Sequence, residues 1–253
     1  MKNILIYISP TGSFNNPQSD LLNDSGVAVK VQIENSLGLG WKAEDILLVT
    51  NFDFQYGNLM ATVLKNVEFV SFKPQASKIN VIIDLFEKGI IKNNEVYWFH
   101  DIDAFQLQPL KETEANLENA DIAMTDYHSH TRWSTGSIFF KISSIDIFYR
   151  IKKVVYDDFV DEERALTKLT CIDKKLRDRI NKLNITYNFS PRSPNPGYET
   201  ALKPIRVAHF HPLLGIPKTF YNRPAYFPDQ EKTQPITFLP DRLIKLFHYH
   251  RVR

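Results

Sequence analysis

The sequence has a single cysteine, Cys171. That excludes a disulfide framework and a cysteine-built zinc site within one chain. Net charge is nearly absent as well, with 31 Lys and Arg against 29 Asp and Glu leaving +2 at neutral pH. A field that small gives no argument for nucleic acid as a partner. Long apolar runs are missing too, and nothing approaches the roughly 20 residues a membrane-spanning helix needs. The apolar N-terminal stretch ends at Ile8 and runs into Ser9-Pro10-Thr11-Gly12. It reads as a first strand and its turn, not as a signal peptide with a small-residue cleavage site. The expectation is a soluble protein of a reducing, cytoplasmic setting. A glycine-rich phosphate loop is also lacking: Gly12 stands alone, without a Gly-x-x-x-x-Gly-Lys run. No internal repeat and no clean linker divides the 253 residues, so they read as one domain.

What is present is ordinary globular material, 43% hydrophobic and 24% charged, with aromatics at 13%. Such a chain suits one large α/β domain. Ile4–Ile8 is apolar on both faces and predicts a central strand, followed by a Pro- and Asn-rich loop. Residues 26–39 fit either period. Val27, Val29, Val31 and Ile33 alternate as in a strand, yet a crossover helix closed by Gly38 or Gly40 is the choice that topology favours. Residues 45–50 predict the next strand, ending at Asn51-Phe52-Asp53, and residues 67–72 a further short one. Ser77 suits an N-cap, with Ile79, Ile82, Ile83 and Phe86 at helical spacing and Gly89 as the stop. Strands are then expected over 120–126 and 137–141, the second entered through a Thr135-Gly136 turn. Residues 161–183 form the longest helix candidate, with Leu166, Leu169, Leu176, Ile180 and Leu183 in register. Its acidic start, Asp161-Glu162-Glu163, suits the helix dipole. Beyond Asn184 the chain is proline-rich, with a short strand, 205–212, embedded in it.

The stretch that organises this pattern is Glu95–Asp103. A buried strand, Val96-Tyr97-Trp98-Phe99, ends in His100-Asp101-Ile102-Asp103. Asp-x-Asp alone is commonly a pair of plain loop acids. Here the pair falls at the carboxyl end of a strand, where open α/β sheets bind ligands. Two hard oxygen donors there suit Mn2+ or Mg2+ carried by a phosphate. His209 and His211 project to one face of their strand and suit the same ion. Asp101, Asp103 and one of these histidines would form its protein ligands.

In order along the chain, these landmarks resemble the GT-A glycosyltransferases, enzymes that use nucleotide-sugar donors. Phe99-His100-Asp101-Ile102-Asp103 is similar to their metal motif. Trp133-Ser134-Thr135-Gly136 resembles the turn that contacts the donor sugar. His209-Phe210 with Gly215-Ile216-Pro217-Lys218 is similar to the C-terminal region of the glycogenin-like branch. The spacing from His209 to Gly215 is longer than in that branch, and Thr219-Phe220 replaces the usual Pro-Trp.

The resemblance implies a Rossmann-like, mostly parallel sheet flanked by helices, with a wrapping proline-rich C-terminal segment. Residues 1–103 would bind the nucleotide and 104–253 the acceptor. It implies Ser9, Pro10 and Thr11 near the base or ribose, with Asn51 and Asp53 beside them. Lys78, Thr135, Gly136 and Lys218 would approach the donor's phosphate or sugar, although a lone lysine such as Lys78 is ordinarily solvated. Asp161, Glu162 or Asp126 would serve as the catalytic carboxylate. Trp133, Tyr127 and Tyr198 are aromatics able to stack on a sugar. The implied reaction is transfer from a UDP-sugar to a hydroxyl acceptor such as a glycan. The same residues also suit a metal-dependent nucleotidyltransferase or phosphohydrolase, or a carbohydrate-binding module without turnover.

Overall fold

The computed structural model describes residues 1–10, 20–127, 132–189, 200–209 and 241–252. In chain order the elements that build the scaffold are β1 (Lys2–Tyr7), α1 (Asp20–Gly38), β2 (Ile46–Thr50), the short β3 (Gln55–Tyr56), β4 (Leu59–Met60) and β5 (Thr62–Val63), and α2 (Ser77–Glu87). There follow β6 (Tyr97–His100), β7 (Ala104–Gln106), β8 (Ile122–Asp126), β9 (Trp133–Phe140), α3 (Ile145–Asp158), α4 (Glu162–Ile172), α5 (Lys174–Asp178), β10 (Ile180–Leu183), β11 (Val207–His209) and a C-terminal helix, here α6 (Asp241–Val252).

Seven strands form one sheet in the order β10-β8-β9-β6-β1-β2-β5. The pairs β1–β2, β1–β6, β2–β5 and β8–β10 are parallel, whereas β9 runs antiparallel to both neighbours, β6 and β8. Alternation along the strands feeds two apolar layers. Ile4, Tyr97, Phe99, Ile138 and Phe140 meet α2, α3 and α4 on one face. Leu5 and Tyr7 meet Val29 and Ile33 of α1 on the other, where Trp98 and Phe139 stack at 5.9 Å. Parallel strands covered on both faces read as continuous apolar runs, which is why β1, β2 and β6 stand out in the sequence.

Some elements depart from the expectations. The apolar register across 161–183 does not make one helix. Asp173 ends α4, and its carboxylate accepts the Leu176 N–H that opens α5. Ile180–Leu183 pairs in parallel with β8 as an edge strand, because short apolar runs satisfy either period and a vacant sheet edge decided between them. Thr135-Gly136 is not a turn; both lie inside β9, opposite a register shift between Met124 and Thr125 of β8. Residues 67–72 form no strand. Ser77 opens α2 as expected, but its hydroxyl accepts the Val70 N–H instead of capping the helix. Gly89, with φ 62°, ends that segment in the left-handed region. Residues 26–38 are helical.

The proline-rich end is represented by β11, which pairs antiparallel with β7, and by α6, whose Leu243 is buried in the cluster that includes Val31 of α1. No helix among the described residues is long and apolar enough to cross a membrane.

Among the polar contacts that key helix α4 to the sheet is a buried one from Trp133 Nε1 to Thr170 Oγ1 at 2.9 Å. Thr170→Val keeps the shape but orphans the indole N–H. Urea unfolding is expected to show a loss of about 1–3 kcal/mol, the penalty for a buried unsatisfied donor.

Candidate functional site

Strands β1, β2 and β6 are parallel, so Ser9, Asn51 and Asp101 reach the same sheet edge. Antiparallel β9 starts at that edge and brings Thr135 and Gly136 to it. The Asp101 N–H donates to Gly136 O at 2.9 Å, joining the two strands across the site. After Asp101 the chain turns, with the Ala104 N–H on Asp101 O at 2.9 Å, and enters β7. The pairing of β7 with β11 sets His209 opposite Ala104. That register brings one histidine, 106 residues downstream, to the Asp-x-Asp turn.

His209 Nε2 lies 3.1 Å from Asp103 Oδ1 and 3.8 Å from Asp101 Oδ2. One ligand atom from each of the three residues falls within 4.8 Å of the others. Two carboxylates and an imidazole form a hard, mixed donor set that suits Mn2+ or Mg2+. The ring of His209 lies against Gly136. A Cβ there would sit 2.3 Å from His209 Nδ1, so only glycine lets the imidazole approach.

Behind the triad lies a buried lysine. Lys78 is 7% exposed, so it is not the solvated lysine that helix starts commonly carry. Its Nζ stands 2.8 and 3.0 Å from the two Asp101 oxygens and 3.0 Å from Glu162 Oε1. Glu162 Oε1 also accepts Thr135 Oγ1 at 3.0 Å, and Glu163 Oε1 accepts the Thr135 N–H at 2.9 Å. The buried Glu162 Oε2 has no hydrogen-bond partner among the described residues.

These charges hold one another. Burial opposes the charge on Lys78, but Asp101 and Glu162 outweigh it and hold its pKa well above the ordinary lysine value. Burial pushes the Asp101 carboxyl up, partly countered by Lys78 and His209. Glu162 is pressed up by burial too, yet Lys78 and its other hydrogen bonds bring it below the usual value. Glu163 is raised, chiefly by burial. His209 is raised because Asp103 and Asp101 overcome its burial. His100, stacked on Trp98 at 4.1 Å, is pushed down to about 4 by burial and stays neutral.

The other expected residues fall in distinct places. Ser9 and Asn51 are tied to each other, Ser9 N–H to Asn51 Oδ1 at 2.9 Å and Asn51 Nδ2 to Ser9 O at 2.6 Å. Pro10 and Asp53 are exposed beside them. Asp161 caps α4 through the Arg164 N–H at 2.8 Å. Asp126 is buried against Arg132 at 2.9 Å, with Lys182 at 3.6 Å. Trp133 is in the core, and the Tyr127 hydroxyl donates to Asn188 O. Thr11, Tyr198, His211 and Lys218 with its Gly215-Ile216-Pro217 neighbours lie outside the described residues.

One residue that sequence reasoning missed is Gln32 of α1. Its Nε2 donates to Asp101 O at 3.0 Å, Ile102 O at 2.8 Å and Ala104 O at 3.2 Å, framing the Asp-x-Asp turn. The only sequence signal was a polar residue interrupting Val29–Ile33. Glu163 and Asn188, whose Nδ2 donates to Ser134 Oγ at 2.7 Å, had no signal of their own beyond the acidic helix start.

No family profile and no curated protein sequence matches the chain. Solved structures do. A glycosyltransferase involved in glycosylation of the major capsid of PBCV-1 aligns with TM-score 0.55 at 10% identity, over 84% of this chain and 95% of that one. The galactosyltransferase LgtC, solved with donor and acceptor sugar analogues, aligns with TM-score 0.56 at 13% identity, over 98% and 96%. GlyE of Streptococcus pneumoniae TIGR4 aligns with TM-score 0.57 at 10% identity; this whole chain spans 60% of it. The fold is that of GT-A-type glycosyltransferases, with a mostly parallel central sheet flanked by helices.

Two substitutions probe how the site is held. Gly136→Ala forces the His209 ring aside and is expected to cost about 1–3 kcal/mol in urea unfolding, the range for overpacking a filled interior. Gln32→Leu strips a donor from three carbonyls and is expected to cost about 1–3 kcal/mol, with thermal unfolding as the check.

Proposed function

We propose that this protein is a metal-dependent glycosyltransferase that moves a sugar from a nucleoside diphosphate sugar, a UDP-sugar, to a hydroxyl acceptor on a glycan. The observation that carries the reading is the convergence of Asp101, Asp103 and His209 at the carboxyl edge of a GT-A sheet. Asp101, Asp103 and His209 would hold the metal, and Mn2+ or Mg2+ there would supply positive charge against the negative charge that builds on a departing diphosphate. Residues 1–103 contribute the nucleotide side, with Ser9, Pro10, Asn51 and Asp53 around the base and ribose. Residues 104–253 contribute the acceptor side. The single Cys171 is exposed, which suits the reducing, cytoplasmic setting expected of the sequence.

Of the three carboxylates first considered for catalysis, Glu162 is the one joined to the cluster, through Lys78 and Thr135. Asp161 is spent on capping α4, and Asp126 on Arg132. Glu162 is therefore the residue assigned to the reaction centre. It stays anionic and has an oxygen with no partner among the described residues, as a base for an acceptor hydroxyl or a counter-charge to a cationic sugar centre requires. Lys78, Thr135 and Gly136 line the donor side.

The test is titration calorimetry of nucleotides and nucleotide sugars with and without Mn2+, followed by a transfer assay. Asp103→Ala is expected to abolish metal-dependent nucleotide binding and sugar transfer together; intact transfer in that variant would sink the reading. Glu162→Gln is expected to lower kcat by about 10²-fold or more, as for loss of a general base, with donor binding kept. Asp161→Ala is expected to retain transfer and lose about 0.5–2 kcal/mol of stability, the cost of an N-cap.

A further inference from the structure

Lys78 occupies the carboxylate that the metal would use. Its ammonium has three protons to donate. Its neighbours are both oxygens of Asp101 at 2.8 and 3.0 Å, Glu162 Oε1 at 3.0 Å and Thr135 O at 3.4 Å. The side chain is held on all sides and shut away from water. His209 approaches the same carboxylate, with Nε2 3.8 Å from Asp101 Oδ2. A divalent ion placed among Asp101, Asp103 and His209 would share one carboxylate with a buried ammonium. Like charges repel strongly at such range where water is scarce. A lysine on a flexible stem can give up one partner for another, and a diphosphate arriving with the ion supplies that other anion.

Resting on the metal-site reading above and deepening it, we infer that Lys78 is an internal counter-cation that competes with the divalent ion for Asp101. Nucleoside diphosphate relieves the competition by drawing the ammonium onto its phosphates. The site then stays assembled without metal, because the lysine bridges Asp101 and Glu162. Metal and diphosphate bind as a coupled pair, each tightening the other by the same factor.

The experiment is calorimetric titration of Mn2+ into the full chain, alone and with saturating UDP. It is run on the wild type, on Lys78→Met and on the double variant Lys78→Met/Glu162→Gln. The double variant removes one charge of each sign, so the net charge of the cluster is kept and the buried Glu162 carboxylate is not stranded. It carries the comparison by itself if the single variant does not fold. In the wild type, UDP is expected to tighten Mn2+ binding by about tenfold or more, within the usual span of coupling between sites. In both variants Mn2+ alone is expected to bind at least about fivefold tighter than in the wild type, with the UDP effect about threefold or more smaller than in the wild type, because only the direct attraction between ion and diphosphate remains. A gain of affinity is a result that structural damage does not produce. Unchanged or weaker Mn2+ binding in the double variant, or a UDP effect of wild-type size, overturns the inference while leaving the transferase reading intact. A wild type that binds neither Mn2+ nor UDP with Mn2+ overturns that reading, and the counter-cation role with it.

Discussion

The Lys78 ammonium lies between the carboxylates of Asp101 and Glu162, 2.8 and 3.0 Å from their oxygens, and favours the ionised form of each against the pull of burial. Breaking such a buried arrangement by removing one partner typically costs about 3–5 kcal/mol, since the charge left behind has no compensation. The start of α2, the end of β6 and the start of α4 are therefore bound to one another by charge as well as by packing. Thr135, contributed by β9, closes the arrangement through its hydroxyl and its backbone N–H. Four elements that are far apart in the chain meet at one cation.

The sheet explains why they meet there. Parallel β1, β2 and β6 end at a common edge, and β9, reversed between β6 and β8, begins at it. Loops leaving the carboxyl ends of strands and helices starting over them deliver side chains and N–H donors to that edge. The β7–β11 pair adds His209 from the late part of the chain. Gly136 then matters for its lack of a side chain, since the His209 ring fills the space a Cβ would take. The wall behind the site is kept neutral and dry by His100, stacked on Trp98 and held by Ala104 O at 2.7 Å.

Much of the scaffold was legible in the residues. The apolar runs of β1, β2, β6 and β8, the helical period from Ile79 to Phe86 and its Gly89 stop carry local physics strong enough to survive tertiary context. Asp101 and Asp103 were named from residue type and position at a strand end, and His209 was named together with His211, a choice the sequence left open. Legibility failed where local preferences tie. Leu176, Ile180 and Leu183 fit a helix as well as they fit α5 followed by an edge strand. Thr135-Gly136 resembles a turn in sequence but belongs to a strand, because the register of β8 against β9 absorbs an irregularity there.

By itself the sequence determined the class of fold and the donor atoms available to the site, since hydrophobic periodicity and side-chain chemistry are properties of short segments. Only the tertiary structure decided which of those donors meet. It set Glu162 in the cluster while Asp161 caps a helix and Asp126 answers Arg132, although the three look equally suitable in one dimension. It also turned Lys78 inward and brought Gln32 of α1 under the Asp-x-Asp turn. These outcomes depend on strand order and register, which join residues dozens of positions apart through hydrogen bonds and charges that fall away within a few ångströms.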